Sequence, residues 1–245
     1  MKTLILLIAL CLNISAVYAK SACLPYAGEQ LTFHVGWEFI NAGSATMTVS
    51  TPSDKQYNIH TFARTNKFLD IFKKVRDTIT SEGVCVDGKM QSTRFALEQH
   101  ERSYHAKKQT VFDWQHNKVL YTQNKKTDHY DVPAGHLNVI DAFFRVRNAK
   151  LVAGQTLSIP VFDSRKTYNV VVTVGKKTKM LHAPWGGYVK CISLEPMLKT
   201  AGIFSSKGKL KIWVTNDSRH IPIKLIAKIK IGHIVGTLVD YKEPK

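Results

Sequence analysis

Acidic residues are scarce in this chain. Eighteen Asp and Glu stand against 35 Lys and Arg in 245 residues, which gives a formal charge of +17 and a pI near 9.7. Such an imbalance attracts anionic partners, whether lipid headgroups, acidic glycans or nucleic acid, without choosing among them. Long apolar runs are as rare. Leu4 to Leu12 is too short to cross a bilayer as a stable helix, and no later window is both apolar and long enough, so a helical membrane span is not expected. Linkers rich in Pro, Gly or Ser, internal repeats and low-complexity tracts are absent, so one domain is the economical reading. With 44% hydrophobic and 22% charged residues the chain is too apolar to be disordered.

Enzyme signatures are also missing. There is no nucleophile elbow, no His-Glu-x-x-His and no dinucleotide glycine fingerprint. The segment Gly202-Ile203-Phe204-Ser205-Ser206-Lys207-Gly208-Lys209 imitates a phosphate loop, but five residues separate its glycines instead of four, and Leu210 replaces the Ser or Thr. His100 and His105 flank a turn and Glu98 shares the face of His100, yet a closed zinc site needs four ligands and the sequence does not supply the set. Neither a metal nor a cofactor is expected.

What is present begins with a leader. Met1-Lys2, the apolar run and Val17-Tyr18-Ala19 predict a signal peptide over residues 1–19. The mature chain, 20–245, then has 245 − 19 = 226 residues and a charge of +16, because the leader carries Lys2 and no Asp or Glu. The periplasm of a Gram-negative bacterium is the expected location. There lipid, glycan or an envelope protein are the expected partners, peripheral membrane contact is open, and nucleic acid is not expected. Cys11 leaves with the leader, so Cys23, Cys85 and Cys191 allow one disulfide and one leftover thiol, with the pair undetermined. A charge in Lys20-Ser21-Ala22, ahead of Cys23, argues against a lipidated cysteine.

Period-two alternation dominates the mature chain. Leu31, Phe33, Val35 and Trp37 alternate with Thr32, His34 and Gly36, and similar runs recur through Val235–Tyr241, punctuated by clusters such as Val86-Asp87-Gly88 and Asn216-Asp217-Ser218. The expected fold is all-β, an antiparallel sheet of a dozen or more short strands curled into a half-barrel or sandwich. Two segments break the alternation. Asn138–Asn148 has helical spacing with Asn138 as N-cap, and Asn66–Phe72 suits a short helix or bulged turn.

Two groups of residues are candidate sites. In the hairpin Lys207–Lys230, Lys207, Lys209, Lys211 and Trp213 share one strand face and Lys224, Lys228 and Lys230 the other strand's corresponding face. A tight turn predicts Ile212 opposite Ile223, Lys211 beside Lys224 and Lys207 beside Lys228, a lysine ladder with an exposed indole that suits an anionic partner or a solvated face. The second group is polar. Arg76-Asp77 lies in a strand, and Asp141, Asp163, Arg165 and Glu195 are its candidate partners in a structural ion pair or pocket.

Taken in order, Gly28-Glu29-x-Leu31-Thr32-Phe33, Ala42-Gly43-x-Ala45-Thr46, Arg76-Asp77, Asp141-Ala142-Phe143-Phe144-x-Val146-Arg147 and Glu195-Pro196 through Trp213-Val214 to Ile221-Pro222 resemble the bacterial exported family called domain of unknown function 3108. The resemblance spans about residues 27–240. It implies an exported β-rich domain, curled like the YmcC-like fold or the outer-membrane lipoprotein carriers, and it supplies neither an activity nor catalytic residues. The expected function is therefore non-enzymatic: a concave face, partly covered by the Asn138–Asn148 helix, binds or shields an apolar or amphiphilic ligand. A scaffold that docks a protein or acidic glycan through the lysine face is the alternative. A hydrolase would need Asp141, Asp163 or Glu195 in one polar cleft.

Overall fold

A computed structural model describes residues 23–197, 209–229 and 232–244, with the side chains of Phe72 and Lys73 left aside. The expected leader, Lys207, Lys230 and residues 202–208 of the phosphate-loop imitation lie outside these. Among the described residues fourteen antiparallel strands form one sheet. The first eight are β1 (Gln30–Trp37), β2 (Ile40–Ser53), β3 (Gln56–Thr65), β4 (Arg76–Val86), β5 (Lys89–Glu101), β6 (Tyr104–Asp113), β7 (Lys118–Gln123) and β8 (Lys126–Asp131). The remaining six are β9 (Thr156–Asp163), β10 (Lys166–His182), β11 (Tyr188–Met197), β12 (Leu210–Thr215), β13 (Pro222–Lys228) and β14 (His233–Lys242). Helix α1 (Lys67–Lys73) interrupts β3 and β4, and α2 (Val139–Arg147) joins β8 to β9.

The spatial order is β8-β7-β6-β5-β4-β3-β2-β1-β14-β13-β12-β11-β10-β9. Each half is a meander of neighbours in sequence, and the two halves are sewn together by β1 against β14. The sheet curls without closing. Across the remaining seam, Tyr130 of β8 meets Phe162 of β9 at 5.4 Å between rings, and Arg165 pairs with Asp128 at 3.2 Å. Leu137 adds a parallel bridge to Val161, its N–H donating to the Pro160 carbonyl while its own carbonyl accepts from Phe162. Pro160, which has no N–H, therefore sits where an edge strand tolerates it.

Helix α2 lies inside the curl. Ala142 and Val146 pack with Val161, Val172, Leu194 and Ile212, and Phe144 packs with Tyr26, Tyr57 and Ile59. The helix fills the concave face rather than roofing an open one. Asn138 caps α2 as the sequence predicts, its side chain accepting from Ile140 and Asp141 N–H, and Asn66–Phe72 takes the helical alternative, with the Asn66 side chain accepting from Leu69 N–H. Strand β8 escapes alternation analysis because Lys-Thr-Asp-His-Tyr-Asp has little apolar content. An edge strand with charged residues is one that resists pairing with another sheet.

The lysine hairpin departs from the tight-turn expectation. Ile212 faces Leu225 rather than Ile223, Lys211 faces Ile226, and Trp213 faces Lys224. The reason lies in the turn. Asp217 accepts from Thr215 Oγ1 at 2.7 Å and from Arg219 N–H, Thr215 Oγ1 accepts from Ile221 N–H, and a bulge follows between Trp213 and Val214. Pairing therefore starts one residue later, at Val214 with Pro222, and the bulge adds a second residue, so Lys211 does not stand beside Lys224; the expected Lys207–Lys228 pair lies outside the described residues.

The disulfide joins Cys23 to Cys85 across a sequence separation of 62, tying the segment ahead of β1 to the end of β4. It occupies the Cys23 thiol that lipidation would need. Cys191 is free and buried, and burial pushes its thiol up to about 11. The Cys85→Ser variant is expected to lose about 2–3 kcal/mol of unfolding free energy, because the cross-link restricts the unfolded chain. Urea unfolding of the wild type with and without reductant should show the same difference, and a midpoint unmoved by reductant would contradict it.

Candidate functional site at the sheet seam

The polar residues buried with α2 form two clusters. At its first turn, Asp141 is fully buried and accepts from Tyr57 Oη at 2.7 Å, Ser81 Oγ at 2.6 Å, Ser92 Oγ at 2.5 Å and Asn138 Nδ2 at 2.9 Å. These donors come from β3, β4, β5 and the cap, so one carboxyl pins the helix to three adjacent strands. Gly83 makes the space: a Cβ there would fall 2.1 Å from the Tyr57 hydroxyl. Burial pushes the Asp141 carboxyl up to about 6, and the four donors pull the other way.

At the last turn, Arg147 holds Glu29 in a bidentate pair, Nη1 to Oε2 at 2.8 Å and Nη2 to Oε1 at 2.9 Å, with both side chains essentially inaccessible. Its Nε donates to the His220 carbonyl at 3.1 Å, its guanidinium lies 4.1 Å from the Tyr26 ring centre, and Tyr241 Oη donates to Glu29 at 3.3 Å. The acid at the helix start and the base at its end both suit the helix dipole. Neither carboxylate lines the cleft described below, and each is satisfied by internal donors. The pair of clusters holds the helix in place.

The sequence-derived site residues are dispersed. Arg76 pairs with Asp70 of α1 at 2.6 Å, not with any of the four partners expected for it. Asp77 accepts from the His100 N–H at 3.0 Å. Glu195 pairs with Lys211 at 2.9 Å and accepts from Ser193, and both partners hold its carboxyl below the usual range. Asp163 accepts from Ser164, while burial raises its carboxyl. Asp141, Asp163 and Glu195 thus share no site, so the hydrolase arrangement is not present. Trp213 is half-buried rather than exposed, packing toward Leu31, Ile221 and Ile223, with Lys211 Nζ 5.7 Å from its ring centre. Lys209 and Lys228 are exposed and Lys224 is half-buried. His100 and His105 face each other with rings 5.4 Å apart, while Glu98 pairs with Lys107; among the described residues no group of three or more His, Cys, Asp or Glu is placed to hold a metal.

A cleft of about 350 Å³ opens where the β4–β5 turn approaches the β9 edge. Met90, Leu137, Ile159 and Pro160 give it an apolar lining, and Lys89 and Arg145 stand at it as cations against the single carboxylate of Asp87. His136 also lines it, its Nδ1 2.8 Å from the Pro133 carbonyl oxygen. The volume falls within the range of small-molecule sites, which are mostly apolar with a few placed polar groups. Chemically it suits an anion with a short apolar body. Sequence reasoning passed over Lys89, Arg145 and Ile159, because the cleft is made by a turn, the outer side of α2 and an edge strand that lie far apart in the chain.

Residues 32–239 match the family described as "Protein of unknown function (DUF3108)". Among solved structures, the chain is similar to a beta-barrel-like protein of domain of unknown function DUF1849 from Brucella abortus, with a TM-score of 0.61, 10% identity, and coverage of 91% of this chain and 100% of that one. At that identity the likeness is one of fold. Comparison with curated proteins gives no match.

Proposed function

The chain belongs to the DUF3108 family of proteins of unknown function, and from that footing we propose that it is a non-enzymatic, exported protein of the bacterial cell envelope that binds a small anionic amphiphile in the seam cleft. The observation that carries this reading is the cleft itself, apolar along Met90, Leu137 and Ile159 and cationic at Lys89 and Arg145. The concave face is already occupied by α2, so the ligand site moves from the interior to the seam. The Cys23–Cys85 disulfide and the formal charge of +17 suit an oxidising compartment with anionic surfaces.

Hexyl phosphate, an anion with a short apolar body, is a suitable probe. Titration calorimetry is expected to show saturable binding that weakens about tenfold or more in Arg145→Glu, through loss of a charge-assisted contact and gain of a repulsive one. Ile159→Asp should weaken it similarly. Equal binding by wild type and both variants, or none by the wild type, would refute the proposal. Docking through the lysine hairpin, the other reading, is weakened by the register: Lys211 is taken by Glu195 and Trp213 is half-buried.

A further inference from the structure

The β1–β2 connection is a hairpin turn of Glu38 and Phe39 between paired Trp37 and Ile40. Two-residue hairpins favour Asn, Asp or Gly where φ is positive. Here Glu38 takes φ 50°, and Phe39 beside it is a large apolar residue that is 102% exposed. Turn formation does not ask for that phenyl group.

It has apolar company. Ile234 lies opposite Trp37, and Ile229 follows at the β13–β14 turn, where its N–H donates to the Gly232 carbonyl. On the other flank, Asn66 fastens α1 to the start of β2, its N–H to the Ala42 carbonyl at 3.0 Å and its Nδ2 to the Asn41 carbonyl at 2.6 Å. That helix presents Ile71, 75% exposed, and Phe68 to solvent. Several exposed apolar side chains gathered at one end of a sheet make that end a candidate interaction site.

Charge identifies the occupant. Lys67 and Lys74 flank α1, while Lys209 and Lys228, linked by a backbone hydrogen bond of 2.9 Å, flank the β13–β14 turn; all four are exposed. The carboxylates nearest the tip are engaged, Glu38 accepting from the His233 N–H and Asp70 pairing with Arg76. Apolar tips ringed by lysines match an anionic bilayer, where side chains enter the headgroup boundary and cations meet lipid phosphates. A second copy would bring the same lysines face to face.

We propose that this end of the sheet is a membrane-docking tip, with Phe39, Ile40 and Ile71 entering the surface of an anionic phospholipid bilayer and Lys67, Lys74, Lys209 and Lys228 resting on its headgroups. The tip is separate from the seam cleft. Strand β4 runs from Arg76, beside α1, to Val86, which lines the cleft. The two proposals therefore stand or fall independently.

Flotation of the whole mature protein with vesicles tests it. Vesicles of equal parts phosphatidylglycerol and phosphatidylcholine are expected to bind at low salt, pure phosphatidylcholine far less, and raised salt should release the protein. Phe39→Asp with Ile71→Asp, at exposed positions where the thermal melt should be unchanged, is expected to lower partitioning about tenfold or more. Lys209→Glu with Lys228→Glu should lower it roughly fivefold per lysine. Arg145→Glu in the cleft should leave it unaltered. Indifference to phosphatidylglycerol, or unchanged binding by the Phe39→Asp/Ile71→Asp variant, would overturn the proposal. So would self-association in light scattering that this variant abolishes while vesicles bind neither protein.

Discussion

Replacing Arg147 by Met is expected to destabilise the protein by about 3–5 kcal/mol, because it strands the buried Glu29 carboxylate without its counter-charge. Geometry makes the loss large. Glu29 takes both its charge-assisted bonds from Arg147, and only Tyr241 remains as a longer donor at 3.3 Å. Glu29→Met should cost a comparable amount by stranding the guanidinium, although the His220 carbonyl still accepts from it. The double replacement Glu29→Met/Arg147→Met should be less damaging than either single change, since it removes both desolvated charges together. Urea unfolding of the four proteins closes the cycle. Additive losses would show that the two side chains act separately.

The second large effect belongs to Asp141. Asp141→Ala is expected to cost about 3–5 kcal/mol, since buried hydroxyl and amide donors from Tyr57, Ser81, Ser92 and Asn138 lose their common acceptor. Asp141→Asn separates charge from hydrogen bonding. With the folded carboxyl raised to about 6 and the unfolded one near 3.8, the folded state binds more protons between these values. Stability from this group is therefore fully present below about pH 4 and falls as pH rises through 6. The difference amounts to roughly 3 kcal/mol, at 1.36 kcal/mol per pH unit. Asp141→Asn should flatten that segment of the profile relative to wild type. A parallel slope in both proteins would assign the pH dependence to other groups.

Much of the architecture was legible because alternation is a backbone consequence. Residues such as Leu31 and Phe33 must share a face once the chain is extended, and Asn138 announces the start of α2. The inward polar groups were harder to see, but signals existed. Glu29 has the parity of Leu31 and Phe33, so a carboxylate falls on a core-facing position. Asp141, Phe144 and Arg147 recur every three residues along α2, placing charge on its packed side. Their pairing was not legible, since Glu29 and Arg147 meet through tertiary folding alone. Register at the lysine hairpin failed for a local reason: side-chain bonds around Asp217 lengthen the turn, and a bulge is invisible to a period-two pattern. The cleft and the aromatic tip were missed because each is assembled from segments whose separate patterns are ordinary.

The pairing of β1 with β14 has a consequence for how the chain acquires its structure. Gln30 lies opposite Lys242, whereas every other strand contact joins neighbours in sequence. As the chain folds, β1 to β8 can zip progressively, yet β1 keeps one open edge until β14 arrives. Such a long-range pairing is entropically late, and a chain in which it has not yet formed exposes the unpaired backbone edge of β1. The β1–β14 pairing is thus the join on which the whole sheet depends: a chain lacking residues 233–242 retains most of its strands but not the piece that unites the two halves.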